Sequence, residues 1–215
     1  MTAAVLAAAV PPPPASIECT VGKLAAGTVL HRIHDGRFGP TQFNPGLGNS
    51  RFAPFELRGA KVPTAYAATS LSCAVFETIF HDIEPGAPFK SVYWSALEPL
   101  RYSTLELQSE ISLAQLYSAD LMRWGLERRH LIDTPKANYP ETRAWVLPIH
   151  ESSAAPEGMI WVSRRFDEDR ALLLFGSRVD PAILKLVASV EVTGDPAVLA
   201  VVHALASRAD IDIIR

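Results

Sequence analysis

Residues 61–82 read Lys-Val-Pro-Thr-Ala-Tyr-Ala-Ala-Thr-Ser-Leu-Ser-Cys-Ala-Val-Phe-Glu-Thr-Ile-Phe-His-Asp. Residues 62–68 form a short apolar strand, and from Ser70 the pattern turns helical, with Thr69 or Ser70 as the N-cap. Leu71, Ala74, Val75, Thr78 and Ile79 share one face of that helix, and Cys73, Phe76, Glu77 and Phe80 share the adjacent one. A helix apolar on most sides is buried, so Glu77, the carboxylate between Lys61 and Asp82, sits in apolar surroundings. An ionised carboxylate there is costly unless paired. Either an arginine elsewhere satisfies Glu77 or it is kept for chemistry.

Working outward, 28–34 reads as a strand with Leu30 and Arg32 on one side and Val29, His31 and Ile33 on the other. A long Gly/Pro/Asn-rich loop, 35–60, follows. Its length marks it as functional, and its aromatic and arginine content argues against disorder. Downstream, strands are expected at 88–97, 158–163, 170–175, 186–192 and 211–214. Short helices are expected within 112–127, from 138 to about 151 (where Pro148 bends or shortens the helix), and from Asp195-Pro196 to about 206. Strands and helices mix without a regular β-α-β rhythm. The expected class is therefore α+β, with mixed or antiparallel sheets and flanking helices.

The chain has 215 residues, 48% of them hydrophobic and 20% charged, with a formal net charge of −3. These values suit one globular domain (17–215) behind an Ala/Pro-rich arm (1–16). They carry no basic footprint for direct nucleic-acid binding. Two cysteines, Cys19 and Cys73, make neither a disulfide framework nor a cysteine-rich metal site, and a reducing cytoplasm fits. No apolar run reaches membrane-spanning length, no metal-ligand spacing occurs among the six histidines, and no phosphate-binding glycine loop is present. The apolar start lacks a basic leader, and Pro11–Pro14 form a stiff spacer.

Several short motifs then fall into order: His31-Arg32-Ile33, Phe43-Asn44-Pro45, Ser50-Arg51-Phe52, Pro63 through Ala68, Ala74-Val75-Phe76-Glu77-Thr78, and Gly158 through Ser163 with Leu172 through Phe175. Over residues 28–178 this order resembles the RES-domain family, named for its Arg, Glu and Ser. The resemblance implies a fold related to ADP-ribosyltransferases of the diphtheria-toxin kind. It also implies NAD as substrate, destroyed by hydrolysis or phosphorolysis or used to ADP-ribosylate a protein. It further implies a toxin held inactive by an Xre-type antitoxin, and a homodimer.

The residue types suit such chemistry. Breaking the nicotinamide–ribose bond creates oxocarbenium character that a carboxylate stabilises, which is the role expected of Glu77. Arg32 and Arg51 carry bidentate donors for phosphate or ribose oxygens, and either is the arginine of the family name. Tyr66 is suited to stack on nicotinamide or bond a ribose, with a catalytic or a binding role. Ser163 is suited to bond a phosphate or the nicotinamide amide; no nucleophile elbow surrounds it. The bland alternative is a non-catalytic binding module in which Glu77 and Arg32 form a structural pair.

Overall fold

The computed structural model describes residues 9–215. In chain order the elements are β1 (Val21–Leu24), β2 (Val29–Asp35), β3 (Glu56–Leu57), β4 (Ala60–Lys61), β5 (Thr64–Ala68), α1 (Leu71–Thr78), β6 (Ser91–Tyr93), α2 (Trp94–Leu97), β7 (Leu100–Leu107) and β8 (Ile111–Gln115). They continue as α3 (Ser118–Arg123), α4 (Arg128–Leu131), α5 (Tyr139–Ala144), α6 (Val146–His150), β9 (Gly158–Val162), β10 (Arg170–Phe175), β11 (Leu184–Glu191), α7 (Pro196–Arg208) and β12 (Asp212–Ile214). Eight strands form one mixed sheet in the order β1-β8-β9-β10-β5-β2-β7-β11, in which only β8 and β9 pair in parallel. The expected α+β class holds.

That order forces the sheet to curl. β7 and β8 are five places apart in it, roughly 24 Å if flat, yet residues 108–110 alone join them, a reach of about 14 Å. The curl encloses one apolar cluster, in which Leu30 and Leu105 meet Leu113, Ile160 and Leu172. The outer face carries a larger cluster, in which Tyr66, Ala68, Trp161 and Leu173 pack with the helices, α1 among them. Burial on both faces explains the near-continuous apolar runs of β9 and β10.

β2 and β5 share a single pairing, His31 with Ala68. The next pairs along an antiparallel ladder would be Arg32 with Ala67 and Ile33 with Tyr66, and there the strands part. β2 instead runs seven residues along β7, and β5 runs five along β10. The sheet is therefore split where the 36–55 loop leaves β2 and returns to β5.

Local chemistry sets the other positions. Ser70 is the N-cap of α1: its Oγ accepts from the Cys73 N–H (3.1 Å) and donates to Asp169 (2.6 Å). Asp195 caps α7 through the N–H groups of Ala197 and Val198, with Pro196 at the first position where its missing donor costs nothing. The helix expected over 138–151 is two helices that break at Trp145. Pro148 has no N–H to give the Ala144 carbonyl. Helices expected across 112–127 are replaced in part by β8, and the strand expected over 88–97 turns helical at Trp94. Of the expected arm, residues 1–8 lie outside the described residues. Over 9–16 the arm packs on the body, with Val10 buried and the Pro11 carbonyl accepting from the Trp145 indole (2.8 Å).

Candidate active site

A cavity of about 390 Å³ opens at the split between β2 and β5, within the range of small-molecule sites. β2 supplies Ile33, β5 supplies Tyr66 and β9 supplies Trp161. The loop adds Asn49, Ser50 and Arg51, and α1 adds Glu77. The far end is formed by His81, Asp82, Lys136 and Tyr139.

Glu77 sits in the last turn of α1, half-buried. Its Oε1 accepts from the Ser163 hydroxyl (2.6 Å) and from the Arg164 N–H (3.1 Å). No protein donor reaches Oε2 among the described residues, and no salt bridge forms there between Glu77 and either Arg32 or Arg51. The expected structural Glu–Arg pair is therefore replaced by two neutral donors that orient one oxygen, with the other left without a protein donor among the described residues.

Ser163 is fully buried behind that carboxylate. Its Oγ also accepts from the N–H groups of Arg165 and Phe166, closing the turn after β9. Expected to contact the substrate, it is absent from the cavity wall. Its one proton is given to Glu77, so its contact is with the carboxylate and not with the cavity.

Arg51 is buried at 3% exposure. Its guanidinium donates to the carbonyls of Leu131, Ile132 and Thr134 and to the Thr134 hydroxyl, and lies 5.2 Å from the centre of the Tyr139 ring. Burial pushes its pKa down, while Tyr139 and Glu77 oppose the shift. This buried cation is held by dipoles rather than by a carboxylate partner. The Thr142 hydroxyl donates to the Arg51 carbonyl and Arg143 donates to that of Ser50, so α5 fastens this part of the loop.

The Tyr66 hydroxyl bonds Ser50 Oγ (3.0 Å) and accepts from the Phe52 N–H (3.1 Å). Burial, opposed by those two hydrogen bonds, pushes its pKa up to about 12. The phenol therefore stays neutral and pins the loop, while its ring, edge-on to Trp161, forms the wall.

Arg32 does not join them. Alternation along β2 turns Ile33 to the cavity and Arg32 to the opposite face. Its two terminal nitrogens donate to the carbonyls of Pro40 and Gln42, each at 2.9 Å, and burial lowers its pKa to about 10. Arg32, expected as a catalytic and dinucleotide-binding residue, therefore stands outside the cavity wall, where it clamps the start of the loop.

Sequence reasoning passed over the far end. The Tyr139 hydroxyl accepts from Arg51 (3.4 Å) and bonds His81 Nε2 (3.2 Å). His81 Nδ1 bonds Asp82 (2.9 Å), whose other oxygen accepts from Lys136 (2.8 Å). Burial opposes the Asp82 charge, but the Lys136 and His81 bonds outweigh it and hold the carboxyl below its usual range. His81 follows Glu77 by four positions, a helical spacing that was the only local signal. Lys136 and Tyr139 carried none.

A family profile described as the RES domain matches residues 29–195. Comparison with curated proteins gives no match. Among solved structures, a chain from the crystal structure of the M. tuberculosis MbcT–MbcA toxin–antitoxin complex superposes with a TM-score of 0.58 at 15% identity. The match covers 86% of the present chain and 92% of that one. The likeness extends the α+β architecture over 86% of the molecule. With residues 29–195, more than half its length, matched by that profile, the chain belongs to the RES-domain family.

Proposed function

We propose that this protein is the toxin of a toxin–antitoxin pair and that it consumes NAD by cleaving the bond between nicotinamide and ribose. The observation that carries this reading is the Glu77 carboxylate. Ser163 and the Arg164 N–H hold one oxygen, the second is unclaimed by protein donors among the described residues, and the group shares a cavity with the buried Arg51 cation. In that reading nicotinamide lies against the rings of Tyr66 and Trp161. Arg51 draws the phosphate-bearing side of the dinucleotide into the cleft. As the C–N bond breaks, the pair of electrons leaves with nicotinamide, and the ribose carbon becomes oxocarbenium-like. Glu77 stabilises that charge directly or through a ribose hydroxyl, worth about 10²–10³ in rate for a fixed electrostatic partner. Water or phosphate then completes the reaction.

The family and the likeness to a chain of a toxin–antitoxin complex support an antitoxin partner. An Xre-type antitoxin, a homodimer and a cytoplasmic setting belong to the same proposal.

Incubation of purified protein with NAD tests it, with free nicotinamide as the readout. Release is expected, and Glu77→Gln is expected to lower the rate about 10²–10³-fold with an unchanged circular dichroism spectrum. An unaltered rate in that variant removes Glu77 from the chemistry. Label from adenine-labelled NAD recovered on a protein target would replace degradation by ADP-ribosyl transfer.

A further inference from the structure

Helix α1 divides two cavities. Glu77, Thr78 and Ile79 face the one already described, while Phe76 and Phe80 line a second, of about 200 Å³. Ile83, Pro85 and Ile211 complete the apolar wall of the second cavity, and two cations, Lys90 and Arg165, border it. At this volume it lies below the usual range for drug-sized ligands, so its occupant is small.

The charges around this cavity are unevenly matched. Arg165 has a side chain only 16% exposed. One terminal nitrogen donates to the Ile83 carbonyl (3.2 Å), but Nε is buried without a partner. Its nearest carboxylate, Glu84, stands 4.0 Å away and is 65% exposed. Burial and the neighbouring Arg164 depress its pKa, so the cation lacks full compensation. Lys90 donates to the Ala209 carbonyl (2.6 Å), and its carboxylate, Asp210 at 3.6 Å, is almost wholly solvent-exposed. Both cations bordering this apolar cavity thus have only solvent-exposed carboxylates as partners, and a ligand carboxylate between them would be a nearer charge-assisted acceptor for their terminal nitrogens.

The same turn serves both cavities. The Arg165 N–H bonds Ser163 Oγ, and Ser163 Oγ bonds Glu77. An anion that draws Arg165 inward therefore pulls on the group that orients the Glu77 carboxylate.

We propose that this second cavity binds a small carboxylate with a short apolar tail, its tail among Phe76, Phe80 and Ile211 and its carboxylate on Arg165, and that its occupancy is transmitted through Ser163 to Glu77. The site stands whether or not the first cavity turns over NAD.

The test is a titration of the folded, full-length protein with sodium hexanoate, followed by amide nuclear magnetic resonance without NAD. Saturable shifts are expected at Phe80, Arg165 and Ile211, together with movement at Ser163 and Glu77. Hexan-1-ol and hexylammonium at matched concentrations are expected to give no saturable response. Arg165→Met is expected to abolish the hexanoate response. An equal response to hexan-1-ol, or no response to hexanoate, overturns the carboxylate site using wild-type protein alone. Shifts at Arg165 with none at Ser163 or Glu77 overturn the transmission. Nicotinamide release, measured separately, reports on the catalytic reading and not on this one.

Discussion

Arg32 and Arg51 look alike in the sequence and are both buried, at 8% and 3% exposure, yet they stand in opposite parts of the molecule. Arg32 is on a strand, on the face away from the cavity, and its terminal nitrogens bond two loop carbonyls. Arg51 is in the loop itself, at the cavity wall, with an aromatic ring and backbone dipoles around it. Neither has a carboxylate partner within 4 Å among the described residues. The difference teaches that a buried arginine carries no function by type: what surrounds it on the ligand side decides. One clamps a loop at its start, and the other stands at the wall of the cavity it shares with Glu77.

The largest expected effect separates the two. With rates normalised to folded protein, Arg51→Met should lower nicotinamide release about 10²-fold, the scale of a lost fixed charge in a closed site. Arg32→Met should leave the rate within about twofold but cost about 1–3 kcal/mol of stability, because two part-buried hydrogen bonds from a charged donor are lost. A loss of rate in the Arg32 variant at unchanged stability would break the comparison. Next, Ser163→Ala should lower kcat at least about tenfold with little change in KM, since a hydrogen bond to a charged group is worth about 1.5–3 kcal/mol. A change confined to KM would return Ser163 to substrate contact.

A smaller effect concerns the Arg32 side alone. His34, on the same face of β2, bonds Ser103 (2.9 Å) and the Asp35 carbonyl (3.0 Å). Burial first, with Arg32 and Arg101 adding to it, holds its pKa below the ordinary 6.5. The folded state therefore binds the proton less well than the unfolded chain. Stability from this group is complete above pH 6.5 and is lost as pH falls below that value. His31 and His150 are shifted the same way by burial. The urea midpoint should fall between pH 7 and 5, and less so in His34→Gln. Smallest of all, Ser70→Ala should cost about 1 kcal/mol by removing the α1 cap, read from thermal unfolding.

Much of the fold was legible where the signal is local. Ser70 and Asp195 cap the helices they were expected to begin, and 158–163 and 170–175 form adjacent strands. β7, Leu100–Leu107, was not recognised, although its buried residues alternate, because one of them is Ser103. Its hydroxyl is satisfied by His34 and Ser189, partners on other strands that no local window contains. β8 was read as helix because Ile111, Leu113 and Ala114 form a short apolar run, which periodicity alone does not assign.

For the site, the order of motifs pointed to Arg32, Arg51, Tyr66, Glu77 and Ser163, and the structure lines one cavity with Arg51, Tyr66 and Glu77 but with neither Arg32 nor Ser163. It could not assign their partners. Lys136 and Tyr139 lie more than fifty residues from Glu77 and enter only because the chain after α4 returns over the split.

The sequence by itself determined the α1 helix with a carboxylate on a largely apolar surface, its cap and the family, because capping, periodicity and motif order are written in neighbouring residues. Only the tertiary structure decided which arginine faces Glu77's cavity, that Ser163 orients the carboxylate and that α1 has a second cavity at its back. The physical reason lies in β2 and β5. They hold one pairing and then part, and which side chains meet across that gap depends on strand facing and loop return, neither of which is encoded within any single stretch.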